Sequence, residues 1–276
     1  MDRPDLGRAL TLARAALAAA PAGLLTDLDG TLAPIVRDPA AARALPGAGE
    51  ALAKLASGLA VVAVVSGRAA SDARRILGRE DVLVIGNHGL EWLEPGAAEA
   101  STPTDLGAPG ADLHAVLAAL PASPGVTVED KRLSATIHVR NAPDPGAAGE
   151  ALEAWLGANL PASLVLRRGR MSLELRPAGA GDKGTALTAL VERHGLRGVV
   201  LLGDDVTDLD MFRAAIALRS EGGVRAAILA VAGEREVPPE VAASADAVLQ
   251  SPRAVVDLLR ALARDLSGAP RSWPGR

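Results

Sequence analysis

Two aspartates stand one residue apart in Asp27-Leu28-Asp29-Gly30-Thr31, directly after the apolar run 22–26. Such a run reads as a strand buried on both faces, and a carboxylate at its C-terminal end points into the crevice where open α/β sheets bind ligands. Gly30 allows a sharp turn after the second acid. Two close like charges ionise together only when a cation joins them, so either one carboxyl keeps its proton or a metal binds. This suits phosphoryl transfer, with one Asp as nucleophile, the other as proton donor, and Mg2+ over both. The plainer reading of these five residues is a strand ending in an Asp/Gly turn.

Three more polar clusters follow apolar runs or open helices. Ser66-Gly67-Arg68, after the run 59–65, offers a hydroxyl and backbone N–H groups at a helix start, a natural phosphate site. Standing alone, Ser66 reads equally well as a helix N-cap. Asp182-Lys183-Gly184-Thr185 opens another helix, where Lys183 would neutralise phosphate charge and hold Asp27 ionised; in isolation it reads as a surface lysine. Gly203-Asp204-Asp205-Val206-Thr207-Asp208, after the run 199–202, supplies hard oxygen ligands for Mg2+, although Asp208 alone would serve as a helix cap.

The elements that must position these groups alternate. A helix over 5–19, a strand over 22–26, a helix over 47–56 behind Pro46, a strand over 59–65, a helix over 71–77 and a strand over 82–85 ending in Gly86-Asn87-His88-Gly89 predict a Rossmann-like doubly wound parallel sheet of the α/β class. The stretch 101–110 is rich in Pro, Gly, Thr and Ala, as linkers are. Beyond it the pattern reads helix 111–120, strands 126–129 and 133–140, helix 146–156, and strands 164–168 and 171–176 joined by a hairpin turn at Gly169-Arg170. This αββαββ unit predicts an inserted α+β cap. The rhythm then resumes with helix 183–194, strand 199–202, helix 208–217, strand 226–231, a short strand 246–249, helix 253–264 and a Gly/Pro/Arg tail after Ser267. The expected domains are a core of 1–104 and 177–276, and a cap of 105–176 lying over the ligand edge of the sheet.

Composition narrows the function classes. The 276 residues are 49% hydrophobic and 22% charged, enough for a sizeable core. A net charge of −4 gives no electrostatic reason to bind nucleic acid, and the four aromatics (Trp92, Trp155, Phe212, Trp273) leave little for base stacking. Trp92 and Trp155 are expected to pack cores. The absence of cysteine removes disulfides, thiolate nucleophiles and zinc-thiolate sites. No apolar run reaches membrane-spanning length, so no membrane partner is expected. Arg14, with Asp2 and Asp5 before the segment 9–20, makes that segment an amphipathic helix rather than a signal peptide, and the expected location is the cytoplasm.

Within the expected cap, 129–140 concentrates polar groups on two neighbouring strands. Alternation puts Glu129 and Lys131 on one face, and His138 and Arg140 opposite Ile137 and Val139. A solvated strand face has the same pattern.

Taken in order, the four clusters resemble the haloacid dehalogenase superfamily of aspartyl phosphatases, over roughly residues 20 to 265. The resemblance implies that Asp27 attacks phosphorus and that Asp29 protonates the leaving alcohol and then deprotonates water. It implies Mg2+ on the Asp27 side chain, the Asp29 carbonyl and Asp204, with Asp208 supporting the metal's waters or Lys183. Thr31, Ser66, Gly67, Arg68 and Lys183 would hold the phosphate.

The E-x-K of Glu129 and Lys131, the H-x-R of His138 and Arg140, and the segment 169–177 are similar to the trehalose-6-phosphate phosphatase family in particular. By that resemblance Glu129, Lys131, Arg140 and Glu174 grip the sugar, and Asn87 and His88 lie near its phosphate-bearing ring. It implies a sugar phosphate as substrate, trehalose 6-phosphate, and functional coupling to a trehalose-phosphate synthase. His138 reads equally as a packed strand histidine or a substrate contact. The chain departs from the family pattern at Leu209, Gly181, Val139 and Arg170. Phosphatases of sucrose phosphate or mannosylphosphoglycerate are the alternatives within the superfamily, and a non-catalytic sugar-phosphate-binding domain is the alternative class.

Overall fold

The computed structural model describes residues 4–36, 38–102, 109–169, 171–233 and 237–268. Its elements are α1 (Pro4–Leu17), β1 (Ala22–Thr26), α2 (Ala48–Ala56), β2 (Val61–Val65), α3 (Ala70–Leu77), β3 (Leu83–Gly86) and β4 (Glu91–Leu93). Then come α4 (Pro109–Ala119), β5 (Thr127–Asp130), β6 (Ala135–His138), α5 (Pro145–Asn159), β7 (Leu164–Gly169) and β8 (Ser172–Pro177). The chain closes with α6 (Lys183–His194), β9 (Gly198–Gly203), α7 (Leu209–Ser220), β10 (Arg225–Val231), α8 (Pro239–Ser244), β11 (Ala247–Leu249) and α9 (Pro252–Gly268). These fall into two units, Met1–Ser101 with Gly181–Arg276, and Thr102–Ala180.

In the first unit seven strands run in the order β11-β10-β9-β1-β2-β3-β4. All but β4 are parallel. The apolar runs form these strands because both faces of the sheet are covered. Leu24, Val62, Val64, Val200, Leu202 and Leu229 join the α1, α2 and α9 side, while Leu25, Ala63, Val65, Val199, Leu201 and Ile228 join Leu187, Leu190 and Phe212 of α6 and α7. Successive residues thus feed opposite layers, the period of two that a strand imposes. After β1 the chain winds outward through β2 and β3, and it returns on the other side through β9, so β1 lies at the switch point where such sheets bind ligands.

The second unit is an αββαββ arrangement whose four antiparallel strands run β5-β6-β8-β7. One face, carrying Ala135, Ile137, Leu173 and Leu175, packs on Leu113 and Val116 of α4 and on Leu152 and Leu156 of α5. The other face carries a row of directly paired residues, Glu129, Thr136, Glu174 and Arg167. Trp92 is buried in the first unit and Trp155 packs against the core of the second, as expected.

Several boundaries differ from the sequence expectation. The sheet is mixed, because the three-residue edge strand β4 runs antiparallel to β3; so short a segment carries no readable alternation. The helix α8 is a single six-residue stretch and equally short of periodic signal. Strand β2 starts at Val61 rather than 59. The strand expected over 133–140 reduces to β6: Arg132 adopts a left-handed φ of 70°, and Leu133 belongs to the turn that closes with Lys131 N–H donating to the Ser134 carbonyl. Arg140 therefore lies in the turn after β6, where Ala142 N–H donates to Val139. The β7–β8 register pairs Gly169 with Ser172, so the expected hairpin is present with a two-residue loop; Arg170 itself lies outside the described residues. So do residues 103–108 of the expected linker and 269–276 of the tail. Among the described residues no helix is long and apolar enough to cross a membrane.

Candidate active site

Parallel register sets the site. Thr26 pairs with Leu202 of β9 and with Val64 of β2, so Asp27, Asp204 and Ser66 emerge side by side at the C-terminal ends of three adjacent strands. Asp27 N–H donates to the Leu202 carbonyl, extending the ladder by one residue and fixing the direction in which its side chain leaves.

Lys183, the first residue of α6, is buried and its ammonium donates to Asp27 Oδ1 at 2.5 Å and to Asp208 Oδ1 at 2.6 Å. A capping box fixes this helix start: Asp182 accepts from Gly184 and Thr185 N–H, and the Thr185 hydroxyl side chain accepts from Asp182 N–H. Asp208 Oδ2 accepts from the N–H groups of Asp204 and Asp205, so both its oxygens accept hydrogen bonds from the chain. The Thr31 hydroxyl donates to Asp204 Oδ1 at 3.0 Å. The Asp204 carboxylate lies against Gly30, where a Cβ would come within 2.0 Å of Oδ2 and φ is +85°; only glycine fits that turn.

Buried Asp27 and Asp208 share one ammonium, and half-buried Asp204 lies beside them. Burial pushes Asp27 well above the ordinary carboxylate range; Lys183 opposes the rise, and Asp208 and Asp204 add to it. Burial, with the Asp208 charge behind it, raises Asp204 to about 8, against the pull of Thr31 and Lys183. Burial by itself would lower Lys183, but Asp208 and Asp27 outweigh it and keep the ammonium charged. With all groups ionised the cluster carries two more negative charges than its own cation balances, which is the donor chemistry a hard divalent ion completes. Carboxylate oxygens of Asp27, Asp204 and Asp208 lie within 4.8 Å of one another, and no hydrogen bond among the described residues takes Asp27 Oδ2, Asp204 Oδ2 or the Asp29 carbonyl. The residues therefore fit a metal.

A pH effect follows. Unfolded, Asp204 titrates near 3.8; folded without metal, near 8. Between those values the folded state holds the extra proton, so metal-free stability falls as pH rises toward 8. Melts in chelator from about pH 5 to 8 should show a declining Tm, and saturating Mg2+ should flatten the decline because it displaces the proton. A flat profile in chelator would contradict this charge imbalance.

Ser66 is buried and its Oγ accepts from Arg68 N–H at 3.2 Å, but α3 begins only at Ala70, so Ser66 is not that helix's N-cap. The loop it starts is braced from 86–89. Asn87 N–H donates to the Arg68 carbonyl and His88 N–H to that of Ser66, with both residues in the left-handed region at φ of 48° and 58°. The His88 ring lies where a Cβ on Gly67 would come within 2.5 Å. Asn87 and His88, expected near the sugar, thus hold the loop that carries Ser66 and Arg68.

Arg68 itself, expected on phosphate, donates to both oxygens of Asp29 at 2.6 and 2.9 Å, and to Asp72 and the Pro39 carbonyl. Sequence reading passed over Asp72, although its i,i+4 spacing from Arg68 was a usable signal.

In the second unit Glu129 and Glu174 share the polar face with Thr136 between them, and His138 Nε2 lies 3.1 Å from Glu129 Oε2. His138 is thus on the open face and not packed in the core. Lys131 and Arg140 lie beyond opposite ends of β6, so the structure does not bring them together.

Acid pair, hydroxyl, lysine and second acid pair enter in that chain order around a β9-β1-β2 switch point, the arrangement of haloacid dehalogenase-like hydrolases. The trehalose-phosphatase family model matches residues 25–237. A trehalose-phosphate phosphatase of Mycobacterium tuberculosis is 36% identical over 97% of this chain and 67% of its own length. The C-terminal domain of C. albicans trehalose-6-phosphate phosphatase shares the fold at a TM-score of 0.74, with 24% identity, 93% of this chain and 97% of that one covered. Aspergillus fumigatus trehalose-6-phosphate phosphatase superposes at 0.62, with 25% identity and coverage of 95% and 98%. The chain belongs to the trehalose-phosphatase family, a family of phosphoric monoester hydrolases.

Proposed function

We propose that this protein hydrolyses trehalose 6-phosphate to trehalose and phosphate through an aspartyl-phosphate on Asp27, with Mg2+ as cofactor. The observation that supports it most is the buried Lys183 fork, which presents Asp27 with one oxygen tied down and the other outside the hydrogen-bond network. In this reading a carboxylate oxygen of Asp27 attacks phosphorus while the bond to the sugar oxygen breaks and Asp29 gives that oxygen a proton. Water then attacks phosphorus, its proton passes to Asp29, and the bond to Asp27 breaks. The Ser66 hydroxyl would hold a phosphoryl oxygen and Lys183 would neutralise the charge, while Thr31, which donates to Asp204, and the Arg68 N–H, which donates to Ser66 Oγ, steady the groups around it. Asp27, Asp204 and the Asp29 carbonyl would hold Mg2+, which when bound neutralises charge developing on the transferring group.

The inserted unit, 105–176 as read from the sequence, serves in this proposal as the cap that selects the sugar. Its polar row supports that role, since two carboxylates flanking a hydroxyl suit sugar hydroxyls. Glu129→Ala and Glu174→Ala are each expected to raise KM for trehalose 6-phosphate about tenfold, the worth of a charged hydrogen bond, and to leave p-nitrophenyl phosphate turnover near the parent value. A phosphate-release panel tests the substrate itself. Preference for trehalose 6-phosphate supports the proposal, as does coupling to a trehalose-phosphate synthase that supplies it. Preference for sucrose phosphate, mannosylphosphoglycerate or a monosaccharide phosphate overturns it.

A further inference from the structure

Arg68 is the most heavily used cation at this edge. Four of its N–H groups are taken: two by Asp29, one by Asp72 on the first turn of α3, and one by the Pro39 carbonyl. The pair with Asp29 is a two-point fork, which fixes the plane of the carboxylate as well as its position. Asp29 has no other side-chain partner among the described residues, and a third of its side chain is exposed. Left alone it would sample several rotamers. Arg68 is also held on its other side, because Asp72 and the Pro39 carbonyl take the N–H groups of its Nη1.

We infer that Arg68 is a positioning residue for the Asp29 carboxyl, with Asp72 as the anchor that keeps Arg68 in place. The inference rests on the proposed reading of Asp29 as proton donor. The fork engages one lone pair of each Asp29 oxygen and leaves the others to carry and release a proton. When the ester bond breaks, that proton moves to the leaving oxygen as the electron pair of the P–O bond arrives there. An aryl leaving group that is stable as an anion needs no such proton.

The test compares trehalose 6-phosphate, in single turnover with Mg2+, against the burst of dinitrophenolate from 2,4-dinitrophenyl phosphate, which reports the first half-reaction only. Arg68→Ala is expected to slow the sugar ester by about 10²- to 10⁴-fold, the usual worth of a placed acid, and the burst at least tenfold less. Arg68→Lys keeps the charge but not the fork, so it should stay close to Arg68→Ala. Asp72→Asn, which touches no reacting group, should show the same leaving-group bias at a smaller size. Equal losses on both substrates, or full rescue by Lys, would overturn the inference. Asp29→Asn separates the two readings: if it shows no leaving-group bias, the proton-donor reading fails and the positioning role falls with it. If Asp29→Asn shows the bias and the Arg68 variants do not, only the positioning role fails.

Discussion

Asp27→Asn is expected to reduce turnover by about 10⁴-fold or more, the scale seen when a nucleophile is removed, while the protein stays folded and binds sugar phosphate. The amide keeps the shape of the side chain and cannot form the acyl-phosphate. The stability side of the prediction is less usual. Asp27 is buried beside Asp208 and Asp204, which repel it, and Lys183 retains Asp208 when the charge at 27 is gone. Melts of the variant in chelator should therefore lie at or above those of the parent. Quenched-flow turnover and calorimetric binding measure the first half. A variant that keeps more than a few per cent of turnover, with contamination excluded, refutes Asp27 as nucleophile. Beryllofluoride protection of the parent provides an independent check on the same carboxylate.

Lys183→Met is expected to cost about 3–5 kcal/mol of stability, because it removes the cation that two buried carboxylates share. Asp27 and Asp208 each lose their only ammonium contact among the described residues, at 2.5 and 2.6 Å. The unfolding midpoint should fall by roughly ten degrees in chelator, and Mg2+ should recover part of it by binding the folded state alone. Activity should not return with the metal, since the charge facing the phosphoryl group is still missing. Denaturant titrations with and without Mg2+ decide this. Parent-like stability in chelator would show that Lys183 is not what holds the acids together.

Asp27, Ser66 and Asp204, proposed here to do the chemistry, were legible because each follows a strand that is apolar on both faces. Runs such as 22–26 and 199–202 announce buried parallel strands, and whatever polar group comes next must leave at the sheet edge. What was hidden was pairing across the chain. Nothing local in Asp29 or Arg68 shows that they meet, since 39 residues separate them. The strand expected over 133–140 failed for a different reason. Its composition is strand-like throughout, and the left-handed turn at Arg132 that delays its start depends on the hairpin's closing hydrogen bonds rather than on propensity. The edge strand β4 is a tertiary product in the same sense, because pairing with β3 and with Ser101 makes Glu91–Leu93 a strand.

The packing of His88 on Gly67 has a consequence for how this enzyme can change. Imidazole and missing methyl occupy one volume, and two backbone hydrogen bonds lock the stretches that carry them. The two stretches are therefore a single mechanical part. A bulkier residue at 67 becomes tolerable only alongside a smaller one at 88, and either substitution made by itself would displace the hydroxyl of Ser66. Drift at these two positions is bound to be concerted, and a graft that transplants one stretch without the other would arrive misaligned.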